Sequence, residues 1–214
     1  MLAHSGPAAY ETQEMLCRYL LMHFGSDEEL AHDVPDTLPS VMHLPLRCAQ
    51  LTAQFAQRHG RALDLGCAVG RSAFEMARHF REVRGIDYSR EFIAAATQLR
   101  QQGRLEYWQK SSGDLGKRCI AAVAEDIDRA RVSFQLGDAT ALHASKNGFD
   151  AVLLANVLCR LNDPAACLAR MHELVAPGGV LVMATPFSWL PEYTPRERWI
   201  SSVDDIAMLL PGCE

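Results

Sequence analysis

The sequence predicts an α/β fold, a mostly parallel sheet with helices on both faces. Three observations predict it. Strand-like runs alternate with stretches of helical spacing along most of the chain, which implies parallel strands joined by right-handed crossovers. FDAVLLAN, beginning at Phe149, is an almost unbroken apolar run, as a strand covered on both faces requires. Glycines and short polar residues follow the strand-like runs, where open α/β sheets keep their ligand sites.

Taken in order, Tyr10 to Phe24 reads as an amphipathic helix. Met15, Leu16, Tyr19, Leu20 and His23 fall on one face, and Gly25 suits the position after the last turn. A loop with Pro35, Pro39 and Pro45 follows, then a helix from Arg47 to His59 with Leu51 and Phe55 inward and Gly60 as its stop. ALDLG from Ala62 is a buried strand. RSAFEMARHF from Arg71 is a helix with Phe74, Ala77 and Phe80 on its apolar side, and VRGID from Val83 is the next strand. Ser89 caps a helix carrying Phe92, Ile93, Ala96 and Leu99, which Gly103 ends. After a less regular stretch, RVSFQLGD from Arg131 alternates as a strand. Asp163 and Pro164 start a helix through Leu168, Met171, Leu174 and Val175, and the turn Pro177–Gly179 feeds VLVMATP.

Composition narrows the function. The chain has 214 residues, 49% of them hydrophobic, and a net charge of −5. That supports one domain with a full core and gives no basic surface for nucleic acid or anionic membrane. No apolar run reaches the roughly 18 residues of a transmembrane helix, and MLAHSGPAAYETQEM lacks the basic and apolar regions of a signal peptide. Seven cysteines without a CxxC pair, and eight histidines without HxxxH spacing, argue against a disulfide framework or a metal site. A reducing cytoplasm is the expected location.

The chemistry sits after the strands. Asp64-Leu65-Gly66-Cys67-Ala68-Val69-Gly70 ends the first strand in GxxxG spacing, not the GxGxxG of dinucleotide binders. Gly66 and Gly70 allow a tight turn and close approach of backbone to ligand. A buried Asp64 repels a pyrophosphate and favours a cation, such as the ammonium group of adenosylmethionine. Asp87, 21 residues after Gly66, ends the second strand beside Tyr88, and an acid there can accept both hydroxyl protons of a ribose. Asp138 and Ala139 end the third strand, where a short carboxylate reaches an adenine amino group. Asn156 ends the fourth.

The series DxGxxxG, GID, GDA, FDxVLLAN and LVAPGG resembles the class I methyltransferases over roughly residues 60 to 190. The resemblance implies a Rossmann-like core and S-adenosylmethionine as cofactor, with S-adenosylhomocysteine as its product. One departure is Ala68, where many members have glycine. In related enzymes an arginine before the first core strand pairs with the methionine carboxylate. Arg47 in LPLRCA fits that role, the plainer reading being a solvated arginine on its helix. The expected organisation is a single domain over residues 1–214: a helical cap over 1–60, a cofactor-binding core over 61–190 and a C-terminal segment over 191–214.

A narrower resemblance rests on YET, PLRCA, GRALDLGCAVGRSAFEMAR, GIDYS, CRL and TPFSWLPEYTP. These look like the 4-mercaptohistidine (5-thiohistidine) N1-methyltransferases of ovothiol biosynthesis. That resemblance implies a small-molecule substrate, a thiolated histidine, methylated on an imidazole nitrogen. Asn156 is then the catalytic candidate, orienting the imidazole. Arg160 is a candidate for the substrate carboxylate and Glu11 for its ammonium. Tyr10 stands on the lidding helix. Thr185, Phe187 and Trp189 lie over the expected pocket, the two aromatics walling the imidazole. Each has a plainer reading: Arg160 on the surface, Glu11 in a first helical turn, and Phe187 and Trp189 in packing. Cys67 and Cys159 read as buried packing residues, since direct transfer needs no covalent intermediate.

Class I methyltransferases usually close the sheet with an antiparallel hairpin after the fifth strand. Residues 193–214 hold Ile206, Met208, Leu209 and Leu210, enough for one helix or strand. The expectation is a shortened or different tail that leaves the fifth strand as an edge.

Overall fold

The computed structural model describes residues 6–31, 43–112, 115–142, 148–210 and 212. The expected loop prolines Pro35 and Pro39 and the last cysteine, Cys213, lie outside the described residues. Among the described residues no helix is long and apolar enough to cross a membrane.

Helix α1 (Gln13–Phe24) begins later than Tyr10. Thr12 is its cap, accepting the Met15 amide on Oγ1 at 3.2 Å. The residues ahead of it, Gly6–Glu11, form a 3-10 segment. A short α2 (Asp27–Ala31) follows. Helix α3 (Leu44–Phe55) starts three residues before Arg47 and stops at Phe55 rather than running to His59. Its buried stripe is therefore Cys48, Ala49, Thr52 and Ala53, and the expected inward residues Leu51 and Phe55 face solvent. Small side chains on that stripe let α3 lie close against the sheet.

Five parallel strands form the main sheet: β1 (Arg61–Leu65), β2 (Glu82–Asp87), β5 (Val132–Leu136), β6 (Phe149–Ala155) and β7 (Val175–Ala184). Their order is β5-β2-β1-β6-β7. The chain winds outward from β1 through β2 to β5, then returns to β6 on the other side of β1. The switch point therefore lies between β1 and β6, and it predicts a ligand crevice beyond their carboxyl ends. Strand periodicity sorts the side chains. Leu63 and Leu65 point into one core, with Leu154, Leu168 and Met171. Ala62 points into the other, with Phe74, Leu99 and Leu153.

Helices α4 (Arg71–Met76) and α5 (Arg90–Gln102) cover the second core, which also holds the buried leucines of α1. Ser89 Oγ caps α5 by accepting the Phe92 amide at 3.1 Å, and Gly103 ends it at φ 78°. The helix expected from Asp163 is two, α6 (Pro164–Ala169) and α7 (Met171–Leu174). Val175 already belongs to β7.

The less regular stretch before β5 is an antiparallel hairpin of β3 (Arg104–Ser112) and β4 (Leu115–Ala122), separate from the main sheet. It buries Tyr107, Cys119 and Ala121 with the residues of α1 and α5. At the other edge β7 is last in the sheet. Among the described residues no strand follows it, and the tail forms α8 (Val203–Met208), whose Ile206 packs with Leu168 and Met171.

Candidate active site

A cavity of about 1280 Å³ opens beyond the carboxyl ends of β1, β2, β5 and β6. It is larger than the roughly 300–1,000 Å³ of most small-molecule sites, so two ligands can share it. Asp64, Asp87, Asp138 and Asn156 all line it, each delivered by a different strand end.

The first crossover explains the floor. The amides of Gly66 and Cys67 both donate to the Ile86 carbonyl, at 2.7 and 3.0 Å, which folds the chain back over β2. Gly66 sits at φ 78°, and a Cβ there would overlap the Val157 side chain. Ala68 holds φ 46°, a conformation that a glycine would adopt without strain. Its amide donates to Asp87 Oδ2 at 2.8 Å, and the Ser89 amide donates to Oδ1 at 2.9 Å. These two bonds fix the plane of the Asp87 carboxylate and leave each oxygen a lone pair for a ligand.

Asp64 is 1% exposed. Ser72 Oγ donates to its Oδ2 at 2.5 Å, and the Ala73 amide also reaches it. Neither partner carries charge, so burial pushes its carboxyl up to about 7. Burial also raises Asp87, against the pull of its amide donors. Asp138 is exposed at the rim, its Oδ1 accepting the amide and hydroxyl of Thr140 at 2.8 and 2.7 Å. Ala139 beside it is buried, and Tyr88 exposes its ring at the mouth. Asn156 turns the chain at φ 58°, its amide donating to the Ala184 carbonyl at 2.7 Å.

The roof comes from both ends of the described chain. Tyr10 packs its ring against Tyr19, Phe92 and Tyr193 at 5.9, 5.8 and 5.7 Å between centroids. Tyr10, Tyr19 and Tyr193 all line the cavity with these rings in contact. Burial raises the Tyr10 and Tyr193 phenols to about 12. Arg160 lies 5.3 Å over the Tyr193 ring and donates to the carbonyls of Cys159 and Ser188 at 2.9 and 2.6 Å.

Other expected site residues are not in the cavity lining among the described residues. Arg47 is exposed on α3. The Glu11 carboxylate instead accepts the Arg90 amide at 3.0 Å, tying the 3-10 segment to α5. Cys67 is buried against Gly85 of β2, and Gly70 backs onto the Phe134 ring. Thr185 Oγ1 accepts the Phe187 amide at 3.3 Å. Phe187 and Trp189 pack beside Leu168 and Met171, and Trp189 Nε1 donates to the Ile200 carbonyl at 3.0 Å. Both pack against that core outside the cavity lining, whereas Tyr193, further along the same chain, lines the cavity.

Among the lining residues that sequence reasoning missed are Ser72, Tyr19, Phe92 and Tyr193. Tyr19 and Phe92 were legible only as apolar faces of helices. Ser72 and Tyr193 lie inside GCAVGRS and SWLPEYTP, where no local pattern marks them as lining residues.

Residues 63–183, more than half of the chain, match the family described as Methyltransferase domain. The chain belongs to that family. S-adenosylmethionine is the cofactor this membership brings, and the residues fit it: a buried carboxylate without a charged partner suits a cationic ligand. Among curated methyltransferases, the chain is 31% identical over 138 residues to the ubiquinone biosynthesis O-methyltransferase of Psychrobacter cryohalolentis, covering 64% of this chain and 45% of that protein. It is 45% identical over 56 residues to the demethylmenaquinone methyltransferase of Renibacterium salmoninarum, covering 26% and 24%. The chain spans about half the length of the first of these relatives. The [4+2]-cyclase SpnF shares the fold at a TM-score of 0.59 and 21% identity, over 97% of this chain and 72% of that one. The methyltransferase CcbJ of Streptomyces caelestis shares it at 0.50 and 22%, over 65% and 47%.

Proposed function

We propose that the protein transfers a methyl group from S-adenosylmethionine to a small molecule, and that the acceptor is an imidazole nitrogen of a thiolated histidine. The observation that carries the first part is the convergence of Asp64, Asp87, Asp138 and Asn156 on one cavity of a methyltransferase-family chain. The second part is supported by the motif resemblance of GCAVGRS and SWLPEYTP.

When bound, the cofactor supplies an electrophilic methyl group on a positive sulfur. Asp64 offers its carboxylate to the cofactor's ammonium group. Asp87, held by two amides, accepts from the ribose hydroxyls. Asp138 and Ala139 border the adenine. Asn156 stands at the end of β6 and orients the acceptor ring. Tyr10 and its aromatic neighbours exclude water from the roof. Holding the acceptor in place supplies most of the rate in such a reaction.

A thiolate is a better free nucleophile than an imidazole nitrogen, so the pocket must keep sulfur away from the methyl. Purified protein incubated with labelled cofactor and thiolated histidine is expected to give an N-methyl product, and plain histidine far less. Label transferred to sulfur, or none transferred while another metabolite is methylated, overturns the acceptor. The relatives named for ubiquinone biosynthesis favour a second reading, a phenolic oxygen as acceptor, and a catechol belongs in the same assay.

A further inference from the structure

The cavity wall divides by chemistry. Asp64, Asp87 and Asp138 stand at the strand ends. Elsewhere on the same wall are Tyr10, Tyr19, Tyr193 and Arg160, from the 3-10 segment, α1, the chain after β7 and the turn after β6. A fourth carboxylate, Glu14 of α1, also lines the cavity, but it pairs with Arg18 at 3.7 Å.

This second group has hydrogen-bond donors to spare. Each of the three phenols that line the cavity carries one O–H donor. Burial keeps Tyr10 and Tyr193 protonated far above neutral pH, so at neutral pH they do not become anions that would repel one. The guanidinium of Arg160 has five N–H donors. It meets the Cys159 carbonyl, the Ser188 carbonyl and, at 3.4 Å, the Ser188 hydroxyl. Those bonds and the Tyr193 ring beneath it hold the guanidinium plane still, with N–H groups left over. A fixed guanidinium beside a phenol hydroxyl complements a carboxylate.

We propose that the acceptor is an anion, and that Arg160, Tyr193 and Tyr19 form the seat for its carboxylate. This rests on the reading above, in which the acidic strand ends hold the cofactor and leave the donor-rich wall for the acceptor. It makes Tyr19 and Tyr193 specificity-determining residues. It also sets the acceptor class apart from neutral, lipid-like rings.

The test is calorimetric binding to protein saturated with S-adenosylhomocysteine. The probes are matched pairs: thiolated histidine and its decarboxylated amine, imidazole-4-acetate and its amide, and 4-hydroxybenzoate and its amide. In at least one pair the acid is expected to bind about tenfold or more tightly than its partner. Tyr193→Phe and Arg160→Lys are each expected to shrink that preference several-fold while leaving the dissociation constant of S-adenosylhomocysteine unchanged. Equal binding within every pair, or no binding at millimolar concentration, overturns the seat. So does a preference that survives both substitutions. If S-adenosylhomocysteine itself fails to bind, it is the cofactor reading that falls.

Discussion

Ser72 donates from Oγ to Oδ2 of Asp64 at 2.5 Å, and this neutral bond is what the buried carboxylate has in place of a counter-charge. The pair sets a pH dependence. Folding raises the Asp64 carboxyl from its ordinary 3.8 to about 7, through burial. An acid raised in this way binds its proton more tightly when folded. Its contribution to stability is therefore full below about 3.8 and is lost as pH rises through about 7. The ligand-free protein is expected to lose a few kcal/mol of stability across that window, and Asp64→Asn is expected to flatten the slope. Cofactor binding should run the opposite way, tightening as pH rises and Asp64 ionises. Urea unfolding and calorimetry between pH 5 and pH 8 check both, and a cofactor affinity indifferent to pH would remove Asp64 from the ammonium site.

Gly66 tests the turn. Its φ of 78° and the overlap of any Cβ with Val157 mean that alanine meets both backbone strain and a packed side chain. Gly66→Ala is expected to cost about 1–3 kcal/mol in unfolding free energy. It should also weaken cofactor binding, because Val157 follows Asn156 on the cavity wall. Chemical denaturation and cofactor titration on the same sample measure the two effects together.

Much of this was legible in the sequence because strand ends and turns write local signals. Ser89 and Asp163 cap helices through amides three residues on, and Asp64 and Gly66 stand in one short DxGxxxG motif, so local spacing located all four. The hairpin β3–β4 was not legible. Its outer face carries Trp108, Arg118 and Ile120 in solvent while Tyr107, Cys119 and Ala121 are buried, so neither strand alternates cleanly between apolar and polar. In α3 a start three residues early rotated the expected face: Leu51 and Phe55 gave way to smaller residues. The roof failed for another reason. Tyr10 and Tyr193 meet across almost the whole chain, and no local pattern reports such a pairing.

Asp87 offers a cleaner test of the cofactor reading than Asp64, because its orientation is already fixed. Ala68 and Ser89 hold the carboxylate with their amides, one on each oxygen, so asparagine in its place keeps the size, loses an acceptor and turns its NH2 toward one of those two amides. Asp87→Asn is expected to weaken S-adenosylmethionine binding by about 1–3 kcal/mol. The loss should be much smaller for a cofactor analogue lacking ribose hydroxyls. An equal loss for both would mean that the substitution acts through the turn and not through the ribose.

Trp189 and Thr194 separate packing from binding in the chain that follows β7. Trp189 donates from Nε1 to the Ile200 carbonyl at 3.0 Å and packs with Leu168 and Met171. Thr194 is fully buried, and its hydroxyl donates to the Leu161 carbonyl at 2.6 Å. Each substitution, Trp189→Phe and Thr194→Val, strands a carbonyl and is expected to cost about 1–3 kcal/mol. Their functional consequences should differ. Thr194 directly follows Tyr193, so loosening its anchor lets that phenol move, and acceptor KM should rise in Thr194→Val. Trp189 packs against the core and is not in the cavity lining, so Trp189→Phe should leave acceptor KM and cofactor affinity within about twofold. Thermal unfolding and steady-state kinetics on the two variants decide it. A Trp189→Phe protein that keeps its stability but loses acceptor binding would return Trp189 to the pocket.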